Sequence, residues 1–244
     1  NDTTKNFDKY WKDTKNSQPD KNKFVRSAKG KPLGVLLDKI NSRILSPFDY
    51  MLPDFIFGGI KGKDHVKAVK SLLGNKKKRI ILKVDIYRFF EQINSERVAS
   101  FFYKKCQCSK KAAKILSNFC CVPIGPKGSQ QIKQTIERGF ATSHRLAVWC
   151  NLNLFIKLKN LVYKELRGCD PEISVYVDDI GITASRVSEE KMNVLLNKVK
   201  ILLESADKNQ RLMLNEKTEI INYYNRNVII NNNFHLRHNN MRKK

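Results

Sequence analysis

No stretch of this 244-residue chain approaches the roughly 18 consecutive apolar residues of a membrane-spanning helix, and no signal-type segment opens it. A membrane-embedded or secreted protein is therefore not expected. Acidic residues are scarce: 23 Asp and Glu stand against 47 Lys and Arg, a net charge of +24. An excess of that size repels itself unless a polyanion neutralises it, so nucleic acid is the expected partner, bound with salt-sensitive affinity. An anionic membrane surface fits less well, because the basic residues are spread along the chain rather than gathered on one amphipathic helix. The six cysteines lack the spacing of a usual zinc module. Cys106-x-Cys108 and the Cys120-Cys121 pair sit on or beside helical patterns, which points to reduced, buried thiols. The length suits one large domain or two small ones.

What is present centres on the run Ile173 to Thr183, where Asp178-Asp179 interrupts β-branched and aromatic residues. Strand propensity predicts one strand to Val177 and another from Ile180, with the two aspartates on a tight turn between them. Two like charges at ~4 Å repel by roughly 4 kcal/mol at an effective dielectric of 20. An ordinary β-turn is one account of such a pair. A divalent cation is the other, since Mg²⁺ takes one or two carboxylates together with substrate phosphates. A second apolar run, Ile80 to Phe90, carries a single aspartate, Asp85, near the end of its strand pattern. Two strands that bring carboxylates from distant parts of a chain are what a two-metal phosphoryl-transfer site requires.

The Tyr176-x-Asp178-Asp179 hairpin, preceded by Asp85-Ile86-x-x-Phe89-Phe90, resembles motifs C and A of reverse transcriptases. The bacterial retron, group II intron and defence-associated branches are nearer than the retroviral one. The resemblance covers roughly residues 25 to 237. It implies an α+β right-hand polymerase with an antiparallel palm sheet backed by helices. The implied organisation is a polar arm (1–23, with a short helix docking Phe7, Tyr10 and Trp11), fingers (24–79), palm (80–222), and a primer-grip-like hairpin opening a thumb (223–244). The thumb itself is absent or truncated, either removed, not included or replaced by another subunit, and the first residue is not methionine, so a trimmed start is expected.

Further segments extend the resemblance. Phe57-Gly58-Gly59-Ile60-Lys61-Gly62-Lys63-Asp64 resembles the glycine-rich stretch ahead of motif A. Its glycines permit positive φ, and Asp64 is placed to cap a helix bearing Val66, Val69, Leu72 and Leu73 on one face. Lys61 and Lys63 are then candidates for the incoming nucleotide or template backbone, with a weaker expectation for Lys29 and Lys31 in the fingers. Phe90 falls at the position under the sugar, where a ring excludes a 2′-hydroxyl. Arg138 to His144 resembles motif B: Gly139, Thr142, Ser143 and Asn151 match, whereas Arg138, Ala141 and His144 replace the usual Gln, Pro and Pro. Those departures point to the divergent defence-associated group. Leu212 to Ile221 resembles motif D, with Lys217 as the candidate for protonating pyrophosphate or steadying the triphosphate. Ser95 is expected to cap one palm helix, and a second helix is expected near Lys110 to Cys121.

The resemblance thus implies an RNA-directed DNA polymerase acting through two Mg²⁺ ions, with Mn²⁺ as the substitute. Asp85, Asp178, Asp179 and the carbonyl of Ile86 would hold the ions. Lys61, Lys63, Phe90, Gly139, Ser143 and Lys217 would line the nucleotide. The implied partners are an RNA template or non-coding RNA, a DNA or protein primer, dNTPs, and another subunit supplying the thumb. The implied setting is the bacterial cytoplasm, in antiphage defence. Two other readings share the sequence: template-loose or protein-primed synthesis by the same site, and a catalytically idle RNA-binding scaffold.

Overall fold

A computed structural model describes residues 9–21, 23–75, 78–126, 133–205, 211–222, 228–230, 234–237 and 240–243. In chain order its elements are β1 (Lys12–Asp13), β2 (Arg26–Ser27), α1 (Pro32–Ile40), α2 (His65–Lys70), β3 (Arg79–Asp85), α3 (Ser95–Lys104), α4 (Lys110–Cys120), β4 (Cys121–Pro123), β5 (Gln134–Ile136), α5 (Ser143–Glu165), β6 (Glu172–Tyr176), β7 (Asp179–Ser185), α6 (Glu189–Ser205), β8 (Glu219–Ile221), β9 (Val228–Ile230), β10 (Phe234–Arg237) and β11 (Asn240–Lys243). The chain is a mixed α+β fold that divides into two units interleaved along the sequence. One comprises Asn1–Met51 and Arg88–Cys150, the other Leu52–Tyr87 and Asn151–Lys244.

The first unit is mostly helical and is tied together by arginines. Trp11 is buried, and the strand pair β1–β2 follows it, where the sequence suggested a short helix; Phe7 lies outside the described residues. Arg26, itself fully buried, places its guanidinium 4.4 Å from the centre of the Trp11 ring and donates to the carbonyls of Pro123 and Gly125. Its partners also include Asp13 at 3.3 Å and Glu137 at 3.4 Å. Burial outweighs the nearby Arg26 charge and pushes the Glu137 carboxyl up to about 8. Pro32, at the first helical position, starts α1 without an N–H to leave unpaired. Arg145 grips Asp49 through two nitrogens (2.9 and 2.8 Å) and Asn41 through a third (2.7 Å), which fixes the start of α5 on this unit.

Helices α3 and α4 pack as a pair. The cap of α3 is Asn94 rather than Ser95: its side chain accepts from the Arg97 N–H at 3.0 Å, and Ser95 is already the first helical residue. All six cysteines are free. Burial pushes the thiol of the buried Cys120, and that of the partly buried Cys150, up to about 12, which disfavours the reactive thiolate at both.

The second unit is built on a four-stranded antiparallel sheet in the order β6-β7-β3-β8. Side chains alternate between its faces. Ile80, Leu82 and Val84 of β3 are buried on one face, while Ile81, Lys83 and Asp85 share the other. The Ile81 end of that second face is covered by α2 and the turn that follows it, through a cluster of Val69, Leu72, Ile81 and Ile221 with Val66 and Leu73 packed against it. The four apolar residues the sequence placed on one helix thus meet the same face, although α2 ends at Lys70 and Leu72 and Leu73 lie in the turn beyond it; Asp64 caps the helix as expected, accepting from the Lys67 N–H at 2.8 Å. Gly181 lets Leu72 lie flat on the sheet, since a Cβ there would sit 2.5 Å from a Leu72 methyl. Met192, Leu195, Val199 and Leu203 form the buried stripe of α6, which packs on β3 and β8.

Arg79 opens β3. It is fully buried, pairs with Asp170 and donates to Thr183, pinning the end of the sheet away from Asp85. The outer edge of β6 is covered by residues 55–57, with Phe57 N–H donating to Val175 O (2.8 Å) and Val175 N–H to Phe55 O (2.9 Å). Near the chain end, β9, β10 and β11 form an antiparallel three-stranded sheet where the sequence suggested a hairpin. Residues 223–227 of that stretch lie outside those described.

Candidate active site

The β6–β7 hairpin turns through Val177 and Asp178, and Asp179 is already the first residue of β7. Only the first aspartate is on the turn. Val177 has φ +59°, a left-handed conformation that costs a β-branched residue of order 1–3 kcal/mol. Gly58 holds the turn from outside: a Cβ on it would lie 2.2 Å from a Val177 methyl and 2.5 Å from the Val177 nitrogen. The glycine-rich loop therefore braces the acidic turn with bare backbone.

Asp85 ends β3 directly opposite Asp179. Its N–H is bonded to Thr218 Oγ1 (3.1 Å), and its carbonyl accepts from Asn215 N–H (2.8 Å). Both backbone groups thus point toward the β8 side. Toward β7 the Asp85–Asp179 pair is then of the non-hydrogen-bonded kind, in which Cα atoms approach to about 4.5 Å and side chains share a face. The next residue points the other way. Tyr87 N–H bonds Met213 O at 2.9 Å, and with the Asn215–Asp85 bond it brackets the bridge from Ile86 to Leu214. Ile86's own N–H and carbonyl therefore face away from Leu214, toward the hairpin.

Asp179 records the crowding electrostatically. Its carboxyl is pushed up to about 6, first by burial, then by the charge of Asp178, with Asp85 adding to the shift and Lys83 opposing it. Among the described residues, no three His, Cys, Asp or Glu side chains are already arranged as a cage around a metal. The donor set itself is all oxygen, held on adjacent strand ends with its mutual repulsion only partly offset. That chemistry suits hard cations such as Mg²⁺, which take one or two protein carboxylates and complete their shell with substrate oxygens and water.

The profile of the family described as Reverse transcriptase (RNA-dependent DNA polymerase) matches residues 27–235. The chain belongs to the reverse transcriptase family. No curated protein is similar to it in sequence. Among solved structures, telomerase from Candida albicans in complex with a fragment of telomeric RNA is similar at a TM-score of 0.54 and 10% identity, a likeness of fold alone. The alignment covers 87% of this chain and 37% of that one.

The remaining reverse transcriptase positions fall in both units. In the second, Lys61 is exposed in the glycine turn, while Lys63 donates to the carbonyls of Pro53 and Ile56, each at 3.0 Å. Burial draws the Lys63 ammonium below its ordinary pKa. Lys217 is exposed on the turn between Asn215 and Thr218, the two residues that hold the Asp85 backbone. In the first unit, Phe90 is 5% exposed. Gly139 has φ +97° and passes so close to Arg26 that a Cβ would lie 2.6 Å from its carbonyl oxygen. Ser143 is buried, its hydroxyl donating to Glu137 O.

Sequence reasoning missed Lys83, Thr218 and the bracing role of Gly58. Period-two alternation signals Lys83, two residues before Asp85 on the same strand face. Nothing local signals the other two, because their partners are 133 and 119 residues away in the chain.

Proposed function

We propose that the chain is the catalytic part of an RNA-directed DNA polymerase, adding deoxynucleotides to a primer 3′-hydroxyl. The observation that carries this reading is the pairing of Asp85 with Asp179, beside Asp178, inside a family whose members do this chemistry. Asp85, Asp178 and Asp179, with the carbonyl of Ile86, would hold two Mg²⁺ ions. The chemistry the ions would supply when bound is activation of the 3′-oxygen and neutralisation of charge on the departing pyrophosphate. The chain's own share is positioning. Thr218 and Asn215 fix Asp85, Gly58 supports the turn that carries Asp178, and Lys83 limits the repulsion at Asp179. Lys217 is placed as the cation for the leaving phosphates, Lys61 for the triphosphate or template backbone, and Phe90 for the sugar. Gly139 and Ser143 shape the loop that meets the template, and Lys63 acts on the nucleotide through the loop it ties. No dedicated general base is needed, since electrostatics and orientation account for most of the acceleration.

In this reading fingers span 24–79, palm 80–222, and a primer-grip-like segment opening a thumb 223–244. The partners are an RNA template, a DNA or protein primer, and dNTPs. The replaced motif B residues Arg138, Ala141 and His144 favour a defence-associated bacterial enzyme, and they also support loosely templated synthesis as the second reading. The test is to supply labelled dNTPs and Mg²⁺ to the full-length protein, with and without co-purifying RNA, and to sequence the product. Complementary DNA supports templated copying, a low-complexity tract supports the second reading, and no incorporation on any primer leaves a binding scaffold.

A further inference from the structure

Two of the residues that depart from the usual motif B pattern converge on one ring. Arg138 stands where the family has Gln, and its guanidinium carbon lies 5.3 Å from the centre of the Phe90 ring. His144 stands where the family has Pro, and meets the same ring edge-on, with centroids 5.6 Å apart and planes at 83°. Phe89 supplies a third contact at 5.7 Å and 66°. Arg138 is itself held: its Nε lies 3.5 Å from Glu91 Oε1, and its backbone N–H is bonded to Glu137 Oε1 at 2.7 Å. Phe90 opens a single 3₁₀ turn, Phe90–Gln92, whose short backbone repeat gives the ring little support of its own. A cation against the face and an aromatic edge are the two attractive geometries open to a phenyl quadrupole, and together they restrain both tilt and swing.

We propose that Arg138 and His144 are positioning residues for sugar selection: they clamp Phe90 so that its ring stays where a 2′-hydroxyl would have to pass. The inference rests on the assignment of Phe90 to the sugar. It gives a physical role to two positions at which this chain abandons the family pattern. A ring held from two sides discriminates by a fixed wall, whereas a ring free to swing yields to the extra hydroxyl.

The experiment compares kcat/KM for dATP and ATP on a poly(rU)–oligo(dA) duplex, using the full-length protein. The variants are Phe90→Ala, Arg138→Gln with His144→Ala, and His144→Phe. Loss of discrimination in Phe90→Ala and a fall of about tenfold in the Arg138→Gln/His144→Ala ratio, through a gain in ATP use rather than a loss of dATP use, is the expected result. His144→Phe, which keeps an aromatic edge against the ring, is expected to retain the wild-type ratio. If Phe90→Ala discriminates as well as wild type, the sugar assignment fails. If Phe90→Ala loses discrimination and the double variant does not, the assignment stands and the clamp is overturned. As a readout independent of turnover, 4-fluorophenylalanine at position 90 should give one ¹⁹F resonance, which broadens or splits in the double variant. An unchanged spectrum overturns the clamp as well.

Discussion

Asp179 shows what the site does to a single carboxyl. Its pKa is raised to about 6, so the folded chain keeps this proton through a pH range in which the unfolded chain has lost it. The group thus favours the metal-free fold below about pH 4, and this contribution is lost as the pH rises to about 6. Asp179→Asn removes the charge at nearly constant shape. It is expected to raise the stability of the metal-free protein by of order 1–3 kcal/mol at about pH 8, with the gain vanishing toward pH 4. Urea unfolding at the two pH values checks this. Added Mg²⁺ should stabilise the wild type more than the variant, because the ion binds the folded carboxylates. A variant less stable than wild type at the higher pH contradicts the electrostatic picture.

At the level of elements, the acidic hairpin depends on a loop more than a hundred residues earlier. Gly58→Ala places a methyl group within 2.2 Å of Val177 and must shift the turn. The expected cost is roughly 1–3 kcal/mol of stability, together with a fall in nucleotide incorporation. Gly62→Ala is the control: it has open space around it and, unlike Gly58, a positive φ of +79°, so it should leave Asp178 in place and cost only backbone strain. Thermal melts and single-nucleotide extension by the two variants separate these effects.

The same hairpin shows what local sequence conveys. The β-branched runs around Asp85 and Asp178-Asp179 announce their strands, and the periodicity of residues 66–73 announces a helix face. Local pattern does not say which strands pair, and so could not place Asp179 in β7 opposite Asp85. Nor did it show that Arg79 is a buried anchor, because its partners Asp170 and Thr183 are remote in the chain. Asn94 took the cap expected of Ser95, since both residue types suit the position and one residue of register decided between them.

For the molecule as a whole, the excess of positive charge sets the conditions under which it works. Binding to an RNA duplex or single strand should weaken steeply with salt, and a plot of log affinity against log salt should have a slope of several units. Filter binding from about 50 to 200 mM salt measures it, and a flat dependence contradicts a phosphate-tracking surface. Among the described residues no helix is long and apolar enough to cross a membrane.

The proposed chemistry, unlike the charge, stands on three side chains. The most direct test is single-nucleotide extension of a primed RNA template in Mg²⁺ by wild type and by Asp85→Asn, with circular dichroism to confirm that both are folded. The account predicts incorporation by the wild type and a loss of at least about a thousandfold in the variant, the scale of removing a group that stabilises the transition-state charge. Extension by a folded Asp85→Asn protein at the wild-type rate would contradict it.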